Sequence, residues 1–304
     1  MRLTVVEPFH SIFYAPQSVA LYGGHFAAEG LEVEVRTAGG AQTPTRALLD
    51  GSARVCLGGI MRSLDLADRG GRHLVHFAEV NRLNGFFLLA RERQQDFAWS
   101  ALAGRTVISF AGAPTPYLCM LDVLRRHGVD PARVTFVRNL HGAEAIAAFR
   151  AGSADFLEAG QPTAEELLDA GAHLVASMGE ATGPLPFSSY MTTPETLRGD
   201  PALVLAVTRA LHRAQRWMAA RDATAIAGVI GPAFPEIPEP LRVRAVGRYL
   251  RQGTWARTPV IERAGYERLE AILLAGGFIR RRHRYADLVS TEAARRAVET
   301  AEGA

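Results

Sequence analysis

Apolar and polar positions along the chain keep two periods, one close to 3.6 residues and one of two, and they take turns. Leu3 to Val6 is a short apolar run, and Ser18 to Tyr22 belongs to a helix that Gly23-Gly24 closes. Leu31 to Val35 repeats every second residue, which marks a half-buried strand. A helix from about Thr43 to Leu49, the strand Arg54 to Leu57, a helix near Ile60 to Ala67 and the strand Leu74 to Val80 follow. Such alternation predicts an α/β sheet with many parallel strands.

Phe86 to Ala90 reads as a strand, and a polar stretch from Arg91 to Asp96 resets the pattern. A second set then runs through the strand Arg105 to Phe110, a helix from about Pro116 to His127 and the strand Val134 to Val137. A helix from Ala143 to Ala151, the strand Ala154 to Leu157, a helix from about Thr163 to Ala170 and the strand His173 to Ala176 complete it. Phe187 to Thr192 is a return strand. The remainder is helical: Pro201 to Ala220, Thr224 to Ile230, Leu241 to Leu250 and Val260 to Leu274. The economical arrangement is an α/β protein of two lobes, with residues 1–88 and 190–304 forming the first and 89–189 the second. The tail is expected to pack back on the first lobe, and crossings near 85–93 and 185–193 to form a hinge. An internal echo supports this. Gly51-Ser52-Ala53-Arg54-Val55-Cys56-Leu57-Gly58-Gly59 returns as Gly152-Ser153-Ala154-Asp155-Phe156-Leu157-Glu158-Ala159-Gly160, each after an amphipathic helix.

At 304 residues, 48% hydrophobic and 21% charged, the chain has enough apolar residues for a full core. All 34 basic residues are arginine, so there is no lysine for a Schiff base or for a nucleotide-gripping P-loop. The arginines are dispersed apart from a run at Arg280, Arg281, Arg282 and Arg284, which reads as a solvated cluster, so no nucleic-acid partner is expected. Cys56 and Cys119 lie far apart in apolar stretches and read as buried thiols, with no zinc spacing and no metal or cofactor expected. No apolar stretch reaches membrane-spanning length. Met1 to Glu7 already reads as a strand without a charged-then-apolar leader, so either a signal peptide has been removed or the protein stays in the cytoplasm.

In open parallel sheets, ligands sit beyond the carboxyl ends of the strands, where loops enter helix N-termini. In the first lobe those ends carry Glu7, Phe9, His10, Phe13 and Tyr14, then Gly39, Gly40 and Thr43, then Gly58, Gly59 and Arg62, with Asn81 after the fourth strand. In the second they carry Phe110, Gly112, Thr115 and Tyr117, then Glu158 and Gln161, and Tyr190 lies on the return strand. All are expected to converge on one crevice. The glycines admit ligand atoms to backbone N–H groups, and helix starts favour a carboxylate, sulfonate or phosphate. The aromatic residues offer flat faces for a ring or serve as core packing. His10 reads as a hydrogen-bonding group rather than a general base, and Arg62 either pins an anion or caps surface carboxylates. No GxSxG, HExxH or paired metal-ligand motif is present, so no catalytic residue is assigned.

The stretch Tyr22-Gly23-Gly24-His25-Phe26-Ala27-Ala28-Glu29-Gly30-Leu31-Glu32-Val33 resembles a segment of the solute-binding superfamily that includes taurine, alkanesulfonate, nitrate and thiamine-pyrimidine binding proteins. The nearer likeness is to its thiamine-pyrimidine-synthase-like branch. Further matches are Ala47 to Ala53, Leu102 to Val107 and Ile272 to Ile279. The resemblance implies a type II periplasmic-binding fold, a monomer that closes on a small molecule, and delivery to an ABC permease if the protein is exported to the periplasm. The same fold hosts enzymes. Eukaryotic pyrimidine synthases of this family use a histidine where Arg62 stands and a cysteine-rich segment where Gly183 to Tyr190 stands, and aromatic desulfinases need a cleft cysteine that Glu7 to Tyr14 lacks. The reading is therefore a binding protein for a pyrimidine-like ring or a sulfonate or carboxylate anion. A cytoplasmic enzyme or sensor of the same fold is the alternative.

Overall fold

The computed structural model describes residues 1–39 and 43–302. Ten strands form: β1 (Arg2–Glu7), β2 (Glu32–Thr37), β3 (Val55–Gly58), β4 (Val75–Asn81), β5 (Phe87–Ala90), β6 (Thr106–Ile108), β7 (Thr135–Val137), β8 (Phe156–Ala159), β9 (His173–Ser177) and β10 (Ser188–Thr192). They build two five-stranded sheets, ordered β2-β1-β3-β10-β4 and β7-β6-β8-β5-β9. Both sheets are mixed. In the first, β1 runs parallel to β2 and β3, while β10 runs antiparallel to β3 and β4. In the second, β6 runs parallel to β7 and β8, while β5 runs antiparallel to β8 and β9.

The internal echo thus marks the central strand of each sheet, β3 and β8. Both are entered through a glycine in the left-handed region, Gly51 at φ +78° and Gly152 at φ +82°, where a side chain would be strained. Both strands are buried along their whole length, as central strands covered on both faces are.

The chain leaves the first sheet over 82–86 and returns over 178–187. The first crossing lies a few residues earlier than the sequence pattern suggested, because Phe87–Ala90 is already a strand held between β8 and β9. The two crossings are hydrogen-bonded to each other, Leu185 N–H to the Arg82 carbonyl at 2.9 Å and Phe187 N–H to the Asn81 carbonyl at 2.9 Å.

The helical tail does more than cover the first lobe. The helix Pro201–Ala219 packs there, against Ala15–Tyr22 and β4, but Glu239–Gln252 also packs on the second-lobe helix Thr163–Asp169. Glu165 explains the attachment: its side chain is 6% exposed and takes Arg248 Nε at 2.7 Å and Arg244 Nε at 3.6 Å. Arg263–Ala275 likewise lies on the helix Pro114–Arg126. The arginine run is not merely solvated, since Arg280 and His283 engage Asp68 and Arg282 engages Glu270, two carboxylates that are almost fully buried. Pro194–Gly199, Met178–Thr182, Tyr285–Leu288 and Glu292–Glu302 are helices that the hydrophobic pattern did not mark.

Candidate functional site

A cavity of about 430 Å³ opens where the strand ends of the two sheets face each other. Of the residues singled out from sequence, Phe9, His10, Phe13, Phe110, Gly112, Glu158 and Gln161 line it. Tyr14, Gly59, Arg62 and Thr115 line an adjoining narrower recess that shares Phe9, Phe13 and Phe110.

The first-lobe wall is the loop after β1. Glu7, at the end of β1, is 2% exposed, and its carboxylate is fully engaged. Oε1 accepts from His10 at 2.9 Å and from the Thr37 hydroxyl at 3.1 Å, and Oε2 accepts from Gln17 Nε2 at 2.7 Å. His10 Nε2 lies 2.7 Å from the Ala233 carbonyl, so both ring nitrogens face acceptors and the ring is suited to the doubly protonated form. The Glu7 hydrogen bond raises its pKa to about 8 against the opposing effect of burial. Phe234 stacks on the imidazole with centroids 4.5 Å apart. His10 is therefore a fixed cation at the cavity edge.

Phenylalanine rings make the middle of the site. Phe13 lies against Gly85, where a Cβ would come within 2.3 Å of the ring, so only glycine permits this seat. The Phe13 carbonyl accepts from Asn81 Nδ2 at 2.7 Å and from Trp255 Nε1 at 3.0 Å, which fixes the loop to β4 and the tail. Phe9 stacks on Tyr14 at 5.3 Å and meets Phe110 edge-on at 6.0 Å across the lobes. Phe86, from the first crossing, packs on Phe110 at 4.6 Å.

The second-lobe wall carries the unspent polar atoms. Glu158, on β8, is 2% exposed. Its Oε2 accepts from the Ser109 hydroxyl at 2.8 Å and from the Phe110 N–H at 3.3 Å, while Oε1 has no partner in the protein. Burial pushes its pKa up to about 7, partly offset by those two donors. Gln161 is 4% exposed; its backbone N–H donates to the Tyr249 hydroxyl at 3.1 Å, but neither Nε2 nor Oε1 has a partner. Such orphans are costly unless a ligand satisfies them.

Several expected residues lie elsewhere. Gly39 is exposed beyond β2, Gly40 lies outside the described residues, and Thr43 caps the helix Pro44–Leu49 by accepting from the Arg46 N–H. Gly58 faces Met191, whose Cε would sit 3.0 Å from an added Cβ. Tyr117 turns away from the cleft to pack edge-on against Phe136 under the Arg138 guanidinium, because one helical step from Pro116 rotates it off that face. Tyr190 is fully buried against Phe77, and Asn81 is buried and acts through the Phe13 carbonyl. Tyr249, Phe86, Ser109 and Phe187 were not anticipated. Only the paired Phe86-Phe87 at a strand entry could have signalled one of them.

The thiols are inert: Cys56 is buried with its pKa raised to about 12, and Cys119 is pushed higher still, both by burial. Among the described residues no group of His, Cys, Asp and Glu is arranged for a metal, and no helix is long and apolar enough to cross a membrane.

Two sheets of like topology, joined by paired crossings and facing each other across a cleft, define the periplasmic-binding-protein fold. The solved structures agree. The alkanesulfonate-binding protein SsuA from Xanthomonas axonopodis pv. citri, bound to MOPS, is similar with a TM-score of 0.72 at 19% identity, over 95% of this chain and 98% of that one. The desulfurization enzyme DSZB is similar with a TM-score of 0.69 at 19% identity, over 99% of each chain. In sequence, the "Putative binding protein YtlA" of Bacillus subtilis (strain 168) is 29% identical over 296 residues, 96% of this chain and 89% of that protein. Residues 11–225 match the family model described as NMT1/THI5 like, and the chain belongs to that family.

Proposed function

We propose that this protein is a monomeric solute-binding protein that closes its lobes on a small aromatic heterocycle and presents it to an ABC importer. The names of its relatives support the binding role: one is a binding protein, and another binds alkanesulfonate. The lobes divide at the crossings, close to the limits 1–88 with 190–304 and 89–189.

The observation that carries the choice of ligand is the set of buried orphans in one phenylalanine-walled cavity, Glu158 Oε1 together with Gln161 Oε1 and Nε2. They offer acceptors and a donor to the edge of a flat ring that carries both, as an aminopyrimidine does. The face of the ring would lie among Phe9, Phe13, Phe86 and Phe110. Among the described residues no arginine lines this cavity, the His10 charge is spent on Glu7, and a buried carboxylate stands in the wall, which disfavours a strong anion. Catalysis is disfavoured too, since both His10 nitrogens are engaged and leave no lone pair for a base. In an exported form the site of action is the periplasm.

One observation favours a sulfonate or carboxylate instead. The helix Gly142–Arg150 begins at the cavity wall with no side-chain cap on its first N–H groups. A thermal-shift and calorimetric screen of aminopyrimidines, thiamine, taurine, alkyl and aryl sulfonates, nitrate and aromatic acids separates the two readings. Saturable binding of a heterocycle that Glu158→Gln weakens supports the first. Binding of sulfonates alone, unaffected by Glu158→Gln, overturns it, and turnover of a bound heterocycle overturns the non-enzymatic assignment.

A further inference from the structure

A second cavity, of about 380 Å³, shares no lining residue with the cleft. Three separate segments build it. Glu79 ends in it from β4 and Arg82 from the first crossing; Pro184 to Pro186 belong to the second crossing; Arg257, Glu262 and Arg268 come from the tail. Backbone bonds hold these walls together, Glu79 N–H to the Pro259 carbonyl at 2.8 Å and Arg82 N–H to the Thr254 carbonyl at 3.0 Å. The cavity therefore sits on the two connections that must bend when the lobes swing.

Its charge is unbalanced. Arg82 and Arg257 form no ion pair among the described residues. Arg268 donates to the Thr182 carbonyl and stands 4.0 Å from Asp122, and its Nε is buried without a partner. Facing three guanidiniums are Glu262 and Glu79. Glu79 is 8% exposed, and burial, with Glu262 nearby, raises its pKa to about 8 against the lowering effect of Arg82, which weakens it as a counter-charge at neutral pH. Three guanidiniums thus outnumber the carboxylates around a space of small-metabolite size. Guanidinium forks match oxyanions in geometry and sign.

We propose that this hinge cavity is a second ligand site, taking a small divalent oxyanion between Arg82, Arg257 and Arg268. It is independent of whatever occupies the cleft.

The probes are inorganic phosphate, sulfate and succinate, each titrated by calorimetry into the full chain at pH 7.5. Melting temperature is followed in parallel against sodium chloride at the same ionic strength. One saturable site for at least one dianion is expected, with a melting temperature that climbs with its concentration. Arg82→Gln/Arg257→Gln, two exposed positions, should weaken that binding by about tenfold or more while leaving the melting temperature without dianion unchanged. Glu158→Gln should leave it intact, which separates failure of this site from failure of the cleft assignment. Equal effects of chloride and all three dianions, or equal dianion binding by the double variant and the parent, would overturn the proposal.

Discussion

The central strands of the two sheets, β3 and β8, occupy the same place in the same topology, yet they carry different chemistry. Each has a parallel neighbour on one side and an antiparallel one on the other, and each follows a left-handed glycine. In the aligned repeats Leu57 stands where Glu158 does. On the parallel neighbours, β1 pairs Val6 with Cys56 and β6 pairs Ile108 with Leu157, so Glu7 stands where Ser109 does. Each lobe thus has one buried carboxylate near the cleft, on exchanged strands. The first lobe spends its carboxylate on itself, with both Glu7 oxygens engaged and His10 locked by one of them. The second leaves Glu158 Oε1 buried without a protein partner in the cavity wall. One scaffold has become a rigid wall and a reading wall, through the placement of a single acidic residue.

Placing the acid on the wrong central strand should give the largest effect. Leu57 is fully buried opposite Tyr190, with no hydroxyl in the place that Ser109 fills for Glu158. Leu57→Glu is expected to lower stability by about 3 to 5 kcal/mol, read from urea midpoints. A loss below about 1 kcal/mol would mean that the first lobe tolerates the second lobe's chemistry, and the contrast would fail.

Glu158 itself comes next. Its folded pKa of about 7 lies above the ordinary carboxylate value of 4.5, so between those values the folded state holds a proton that the unfolded state has released. This group's contribution to stability therefore falls as pH rises from about 4.5 to 7, by up to about 3 kcal/mol, alongside the decline from Glu79 that runs on to about 8. Glu158→Gln should make that decline shallower between pH 4.5 and 7 and weaken a heterocyclic ligand by tenfold to about a hundredfold. Profiles of the parent and Glu158→Gln that run parallel over pH 4 to 8 without ligand would show Glu158 to be solvated.

Much of this contrast is visible in the sequence, because the repeat puts a glutamate where its twin has leucine. Strand periods also gave the order of elements, and the loops after β1, β6 and β8 do meet. What the pattern could not supply is direction around an axis. Tyr117 lies one step beyond cleft residues on a helix and points away, whereas Tyr249, far downstream of β8 on an ordinary amphipathic helix, reaches the cavity. Nor could it show that the tail binds both lobes, since the pairing of Arg244 and Arg248 with Glu165 is a long-range event with no local signal.

That pairing gives a smaller test. Glu165→Gln should cost about 1 kcal/mol and lessen the sensitivity of stability to salt, because part of the pair is open to solvent. An unchanged salt dependence would mean that the tail is held to the second lobe by apolar packing alone.

The smallest expected effect bears most directly on whether the first lobe's carboxylate is truly spent. His10 owes its raised pKa chiefly to Glu7, and the folded value of about 8 exceeds the ordinary 6.5. The stabilisation from this pair is then fully present below about 6.5 and lost as pH rises through about 8, the reverse window from an ordinary acidic salt bridge. Because His10 is half-exposed, solvent screening holds the contribution under about 1 kcal/mol, so the proton rather than the melting curve should be followed. An NMR titration of the His10 ring is expected to give a midpoint near 8 in the parent and a value close to 6.5 in Glu7→Gln. A midpoint near 6.5 in the parent would mean that Glu7 and His10 are not joined. Glu7 Oε1 would then be held by the Thr37 hydroxyl alone, with a lone pair to spare for a ligand read from both lobes rather than one.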